Sequence, residues 1–165
     1  MADRSEYDAF VEASWHRLLR TAYLLTRDWG VAEDLVQTAL LKTWQAWPRL
    51  GDEREAYVRK IIVNQHVSWW RRRWRQAELT SESPPDQAHA ADHMGQADDR
   101  ELVWQALGRL PARQRAVIVL RFFEDLTEVQ TAALLDCSLG TVKSQASRAL
   151  AKLRVDESFA YERRA

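Results

Sequence analysis

Cysteine is almost missing from this sequence of 165 residues. Cys137 stands alone, so no intrachain disulfide can form, and a reducing compartment fits best. Glycine (5) and proline (4) are also scarce, which leaves few turn formers for a chain of many short strands. No strand-like alternation of useful length appears, and the expected fold class is all-α. Long apolar runs are missing as well. The longest, such as AVIVL at 116–120, fall far short of the roughly 18 residues that span a bilayer. MADRSEYDAF at the start is acidic and polar, so no secretory signal is expected there. The expected location is cytoplasmic, with no membrane contact. No Walker loop, G-x-S-x-G turn or paired-carboxylate constellation occurs. Nothing argues for an enzyme, a cofactor or catalysis.

A surplus of charge is absent too, with 24 basic against 24 acidic side chains. The two signs are nevertheless segregated. Residues 54–75 carry seven basic and one acidic side chain, and residues 76–99 carry six acidic and none basic. Residues 138–154 carry four basic and none acidic. Each basic block alone can neutralise phosphates, which the overall balance conceals.

What is plentiful is tryptophan, eight residues, in a chain 46% hydrophobic and 29% charged. That composition is globular. A single core of this size buries roughly 68% of the unfolded surface, less if the chain divides. Division is expected. Residues 77–99, AELTSESPPDQAHAADHMGQADD, contain Pro84-Pro85 and no aromatic residue, and they read as an acidic linker. The flanks, 1–76 and 100–155, read as two small helical domains, followed by a tail at 156–165.

In the first half Phe10, Ala13, Leu18, Ala22 and Leu25 recur at helical spacing. After a break at Asp28-Trp29-Gly30, Val31, Leu35, Ala39, Leu40, Trp44 and Trp47 do the same, until Pro48 stops the helix. A third helix is expected from about Glu55 to Arg75, with Val58, Ile61, Ile62, Gln65 and Trp69 on one side. Val63, Val67, Trp70 and Trp74 form a second flank. Between them runs a polar strip of Tyr57, Lys60, Asn64, Ser68, Arg71 and Arg75. Cations interleaved with aromatics suit single strands and unstacked bases. The same pattern also fits tryptophans in a core and arginines at a solvated helix end.

In the second half Leu102, Val103, Ala106, Leu107 and Leu110 mark one helix. Pro111 opens the next, which carries Val117, Leu120 and Phe123. Thr127-x-x-Gln130 reads as a capping box, and Ser138 as the N-cap of a last helix. That helix faces inward through Val142, Ala146, Ala149, Leu150 and Leu153. Ala132, Asp136 and Val142 have helix-turn-helix spacing, with Asp136 where the turn needs a left-handed backbone. The other side holds Thr141, Lys143, Ser144, Gln145, Ser147 and Arg148, short polar groups and cations suited to a major groove. A solvated face on an ordinary helical hairpin is the alternative. His89-x-x-x-His93 has ligand-like spacing, but with one distant Cys no metal site is expected. Cys137 reads as an apolar filler of the turn, with a redox role unsupported.

Together these segments resemble a known family. GTVKSQASRALAKLR (140–154), preceded by LPARQRAVIVLRFFEDLTEVQTAALLDCS (110–138), is similar to region 4 of a bacterial sigma factor. AEDLVQTALLKTW (32–44) resembles region 2.2, and AYVRKIIVNQHVSWWRRR (56–73) resembles regions 2.3–2.4. The order, the acidic linker and the lack of extra domains resemble the extracytoplasmic-function (group IV) sigma factors, in a sigma-E-like actinobacterial branch. The resemblance implies a protein that lends core RNA polymerase promoter specificity and helps open the −10 region.

It also implies residue roles. Asp34 and Gln37, with Thr38 and Leu41 on the same stretch, match positions that dock on the polymerase; Thr38 stands where many members have an acid. The implied partners are the β and β′ subunits of the core enzyme, promoter DNA and an anti-sigma factor. Asn64 and Arg71 match the −10 recognition helix, with Tyr57 where Trp is common, Ser68 in place of a frequent Asp, and Lys60 on the same strip. The loop from Leu50 to Arg54 corresponds to a segment that captures a flipped −10 base. Lys143, Ser144, Ser147 and Arg148 match the −35-reading face. The acidic linker suits a positively charged channel of the polymerase and equally a plain tether. Two other classes remain open: a stand-alone helix-turn-helix regulator binding operators as a homodimer, and an interaction module that no longer reads DNA.

Overall fold

A short cap starts the first helix: the Ser5 N–H donates to Oδ1 of Asp3 at 2.9 Å. The computed structural model describes residues 3–80 and 99–162, with side chains over 3–72 and 101–155. Most of the expected linker (81–98), with Pro84-Pro85 and the His89/His93 pair, lies outside the described residues. The chain divides into two units, Met1–Pro85 and Asp86–Ala165.

The first unit is built on three long helices. α1 spans Arg4–Thr26 and ends at Arg27, which turns left-handed (φ 58°) and donates its N–H to the Tyr23 carbonyl. Asp28 then caps α2, Trp29–Leu50, by accepting from the Val31 N–H at 3.0 Å. The break is therefore Arg27-Asp28, and Trp29 and Gly30 already belong to α2. A parallel stack of Trp29 on Tyr23, 3.8 Å between centroids, closes this turn tightly.

Pro48 does not stop α2. Proline removes only its own N–H bond, to the carbonyl of Trp44, and the helix continues to Leu50. The stop comes from Gly51, whose φ of 48° and ψ of −127° suit a residue without Cβ. A 3-10 turn, Gly51–Glu53, leads into α3, Arg54–Thr80.

α1, α2 and α3 pack on one another in all three pairs. Leu18, Ala22, Leu24 and Leu25 meet Ala32, Val36, Ala39, Leu40 and Trp47, with Val58, Ile62, Val63 and Val67 from α3 completing the buried set. Two expected inward residues lie elsewhere. Ala13 is exposed, as the buried stripe of α1 there passes through Ser14, whose hydroxyl donates to the Phe10 carbonyl. Trp69 is 44% exposed, and Val67 is the last buried residue of α3 among the described side chains. The Tyr7 hydroxyl donates to the Leu40 carbonyl at 2.8 Å and ties α1 to α2. Burial, and after it the Asp8 carboxylate, raise the Tyr7 phenol above its ordinary value and keep it a donor.

The second unit contains α4 (Asp99–Arg109), α5 (Ala112–Ile118), α6 (Glu128–Leu135) and α7 (Leu139–Glu162). α4, α5 and α6 all touch α7. Pro111 is the extended residue just before α5 rather than its first turn. α4 directs Leu107 inward, Leu110 is buried in the bend that follows it, and Val103 stays 46% exposed. The helix expected to carry Val117 through Phe123 changes pitch midway. Val119–Phe123 form a π turn, with the Glu124 N–H on the Val119 carbonyl at 3.0 Å. Val119 and Leu120 are buried, whereas Phe122 is 53% exposed. Arg121 donates to the Leu126 carbonyl, which holds the chain as it leaves the wide turn.

Among the described residues there is no strand, and no helix is long and apolar enough to cross a membrane. The all-α, two-unit reading stands.

Gly51 provides a direct test of the first unit. A Cβ added there meets nothing within 4 Å, so the cost of Gly51→Ala is conformational alone. It should lower stability by about 1–3 kcal/mol in urea unfolding followed by circular dichroism. An unchanged midpoint would mean that the positive-φ turn is not what ends α2.

Candidate nucleic-acid interface

The polar strip of α3 is a surface. Lys60, Asn64 and Ser68 are exposed and Tyr57 and Arg71 half-buried, whereas Val58, Ile62, Val63 and Val67 are buried. The strip exists because Val58, Ile62, Val63 and Val67 on its two sides are buried and leave Lys60, Asn64 and Ser68 between them to solvent. Ser68 accepts from Arg72 at 3.2 Å, so its hydroxyl helps orient a cation on this face. The side chain of Arg75, at the far end of the strip, is not described.

Arg54 behaves differently from the strip. Its guanidinium lies 3.8 Å from the Trp47 ring centroid and pairs with Glu6 at 2.5 Å. It is turned into the first unit. Nothing local in the sequence marks Glu6 as its neighbour, since the contact spans 48 residues.

On α2, Asp34, Gln37, Thr38 and Leu41 are all exposed and share one stripe at helical spacing. Leu41 is 60% exposed, an apolar residue among polar ones. The Thr38 hydroxyl donates to the Asp34 carbonyl at 2.8 Å, so its polarity is partly spent within the helix.

The helix-turn-helix is α6 and α7. The capping box is complete: Gln130 N–H to Thr127 Oγ1 at 3.1 Å and Thr127 N–H to Gln130 Oε1 at 2.9 Å. Asp136 takes the left-handed turn position at φ 51° and ψ 53°. Ser138 caps α7, accepting from the Thr141 N–H at 3.1 Å. Val142 and Ala149 are wholly buried and clamp α7 onto its neighbours. Lys143, Ser144, Ser147 and Arg148 are exposed on the opposite side. Thr141 and Gln145 are half-buried, and the Thr141 hydroxyl shares a hydrogen bond with that of Ser138 at 2.8 Å. Lys143 lies 3.9 Å from Glu128, a neighbour in α6 that sequence reasoning missed. Such exposed pairs contribute at most about 1 kcal/mol, and this one orients more than it stabilises. Among the described residues no group of His, Cys, Asp or Glu is placed to hold a metal ion.

This geometry meets its relatives at both ends of the chain. Residues 10–76 match the Sigma-70 region 2 family, and residues 100–153 match the Sigma-70, region 4 family. A relative from Streptomyces avermitilis, RNA polymerase sigma-E factor, is 41% identical over 151 residues, covering 90% of this chain and 83% of the relative. The ECF RNA polymerase sigma factor SigL of Mycobacterium tuberculosis is 32% identical over 160 residues, covering 92% and 86%. The chain belongs to the extracytoplasmic-function sigma factors. Among solved structures, the sigma factor RpoE of Bartonella quintana, in complex with the anti-sigma factor NepR, is similar with a TM-score of 0.64 and 27% identity, covering 93% of this chain and 97% of that one. As a sigma factor the protein binds core RNA polymerase and directs it to promoters through its region 2 and region 4 domains. The family is not an enzyme class.

Proposed function

We propose that the exposed strips divide the work of initiation residue by residue. Asp34, Gln37 and Leu41 dock on the polymerase, a charge, an amide and an apolar contact on one helical stripe, with Thr38 as a spacer. Tyr57, Lys60, Asn64, Ser68 and Arg71 meet the −10 element, where a melted strand needs cations for phosphates and flat or polar groups for unstacked bases. The turn between α2 and α3 receives an extruded base. Lys143, Ser144, Ser147 and Arg148 read the −35 element as duplex, with Thr141 and Gln145 at the edge of that contact. The observation that carries this reading is that α3 and α7 each leave a polar strip with cations at the surface, backed by buried apolar residues of the same helix.

The working boundaries are 1–76 for docking and −10 recognition, 77–99 for the linker, whose first residues continue α3 to Thr80 and whose last begins α4, and 100–155 for −35 recognition. Polymerase and promoter put the site of action in the cytoplasm. An anti-sigma factor is a further partner, on the strength of the complex that the Bartonella relative forms.

Run-off transcription with core polymerase tests the division, using promoters substituted at each −35 and −10 position. Arg148→Ala should cost about 1–3 kcal/mol and relax selectivity at one −35 position. Asn64→Ala should leave −35 preference alone and impair opening. An Arg148→Ala protein with unchanged affinity and selectivity would reduce that face to solvated surface. A uniform loss with a salt slope shallower by about one would make Arg148 a phosphate contact instead.

The docking stripe has its own test. Asp34 is exposed, so Asp34→Arg should fold as the parent does and fail to co-purify with core polymerase. Retained co-purification would remove Asp34 from the docking surface.

A further inference from the structure

The start of α3 is moored to α1 at two adjacent residues of opposite charge. Arg54 pairs with Glu6 at 2.5 Å, and Glu55 pairs with Arg17 at 2.8 Å. Crossing the signs this way makes a one-residue slip of α3 bring like charges together. Arg54 is held on a further side. Its guanidinium covers the face of Trp47, which is 1% exposed and is itself packed against Tyr7 and Phe10 of α1. Its Nε is buried. With one face on an indole, one terminal nitrogen on a carboxylate and its Nε buried, the guanidinium keeps only part of its edge for a phosphate.

Immediately before Arg54 lies the Gly51–Glu53 turn, none of whose residues is buried. One end of that turn is set by the backbone of Gly51, at φ 48°. The other end is set by Arg54. We propose that Glu6 and Trp47 govern −10 base selectivity from within the fold, by holding Arg54 and through it the pose of the Gly51–Glu53 turn. The proposal rests on the reading that this turn receives an extruded base. Arg54 is then a positioning residue and not a DNA contact. A short exposed turn discriminates bases by shape only if both of its ends are fixed, and a loosened end admits several bases in several poses. Glu6, far from the turn in sequence, becomes a determinant of promoter choice without touching DNA.

Holoenzyme reconstituted with the full chain, scored on a promoter panel carrying each base at each −10 position, tests this. Glu6→Gln should lower the preference for the best base over the next by about fivefold, the upper end of the scale for one exposed ion pair. Arg54→Gln should do at least as much, and the double variant no more than Arg54→Gln alone, because both act through one contact. Arg54→Lys should recover part of the preference. Co-purification with core polymerase and −35 preference should not move in any of these variants, and circular dichroism should report a folded chain.

Asp52→Ala and Glu53→Ala separate this proposal from the reading beneath it. If they shift −10 preference while Glu6→Gln does not, the turn reads a base and the clamp proposal is overturned. If neither they nor the clamp variants shift it, the turn does not read a base and both fall. Additive losses in the double variant would also overturn the clamp, since Arg54 and Glu6 would then act separately. A Glu6→Gln protein that gains activity uniformly, as a freed cation would on phosphate, would make Arg54 a DNA contact.

Discussion

Trp47 is where the three helices of the first unit meet. Its ring packs at a right angle to Tyr7 and tilted against Phe10 from α1, takes the guanidinium of Arg54 from α3, and is almost fully enclosed. Aromatic pairs of this kind contribute about 0.5–1.5 kcal/mol each beyond their buried area. Position matters as much as energy here. Trp47 lies one helical turn before the end of α2, so the centre of the aromatic cluster is also the support for the turn that follows. Packing of the core and placement of the Gly51–Glu53 turn are thus one physical problem.

The second unit solves a different problem, that of keeping one helix rigid and bare. α7 is held by Val142 and Ala149, both without exposed surface, and by contacts from α4, α5 and α6. All of that packing falls on one side. The other side is left to Lys143, Ser144, Ser147 and Arg148, whose side chains are short or flexible enough to follow a groove. Capping completes the arrangement. Thr127 with Gln130, and Ser138 with Thr141, satisfy N–H groups that would otherwise compete for water at the ends of the two helices.

Charge is used twice in this chain. Exposed cations lie on α3 and α7, and several carboxylates position cations. Glu6 fixes Arg54, Glu55 fixes Arg17, and Glu128 stands beside Lys143. A neutral overall charge conceals both uses, because the balance counts side chains and not the faces on which they lie.

Much of this was legible before any coordinates. Apolar spacing located the helices, Thr127, Gln130 and Ser138 marked their starts, and Asp136 marked a left-handed turn. These features are local, fixed by a few consecutive residues, and so the sequence by itself determined them. It also determined the family, since the order of several moderately specific segments is written along the chain. The rest depended on contacts that no local pattern encodes. Pro48 looked like a stop, but the helix tolerates one missing bond and ends where Gly51 turns. Helical periodicity from Val117 to Phe123 concealed a π turn, because one extra residue in a turn changes facing without changing composition. Trp69 and Val103 have the right spacing for a core but keep nearly half of their surface exposed. Arg54 looked like one more cation of a basic block. Only the tertiary structure turned it inward, because the carboxylate and the indole that hold it come from two other helices.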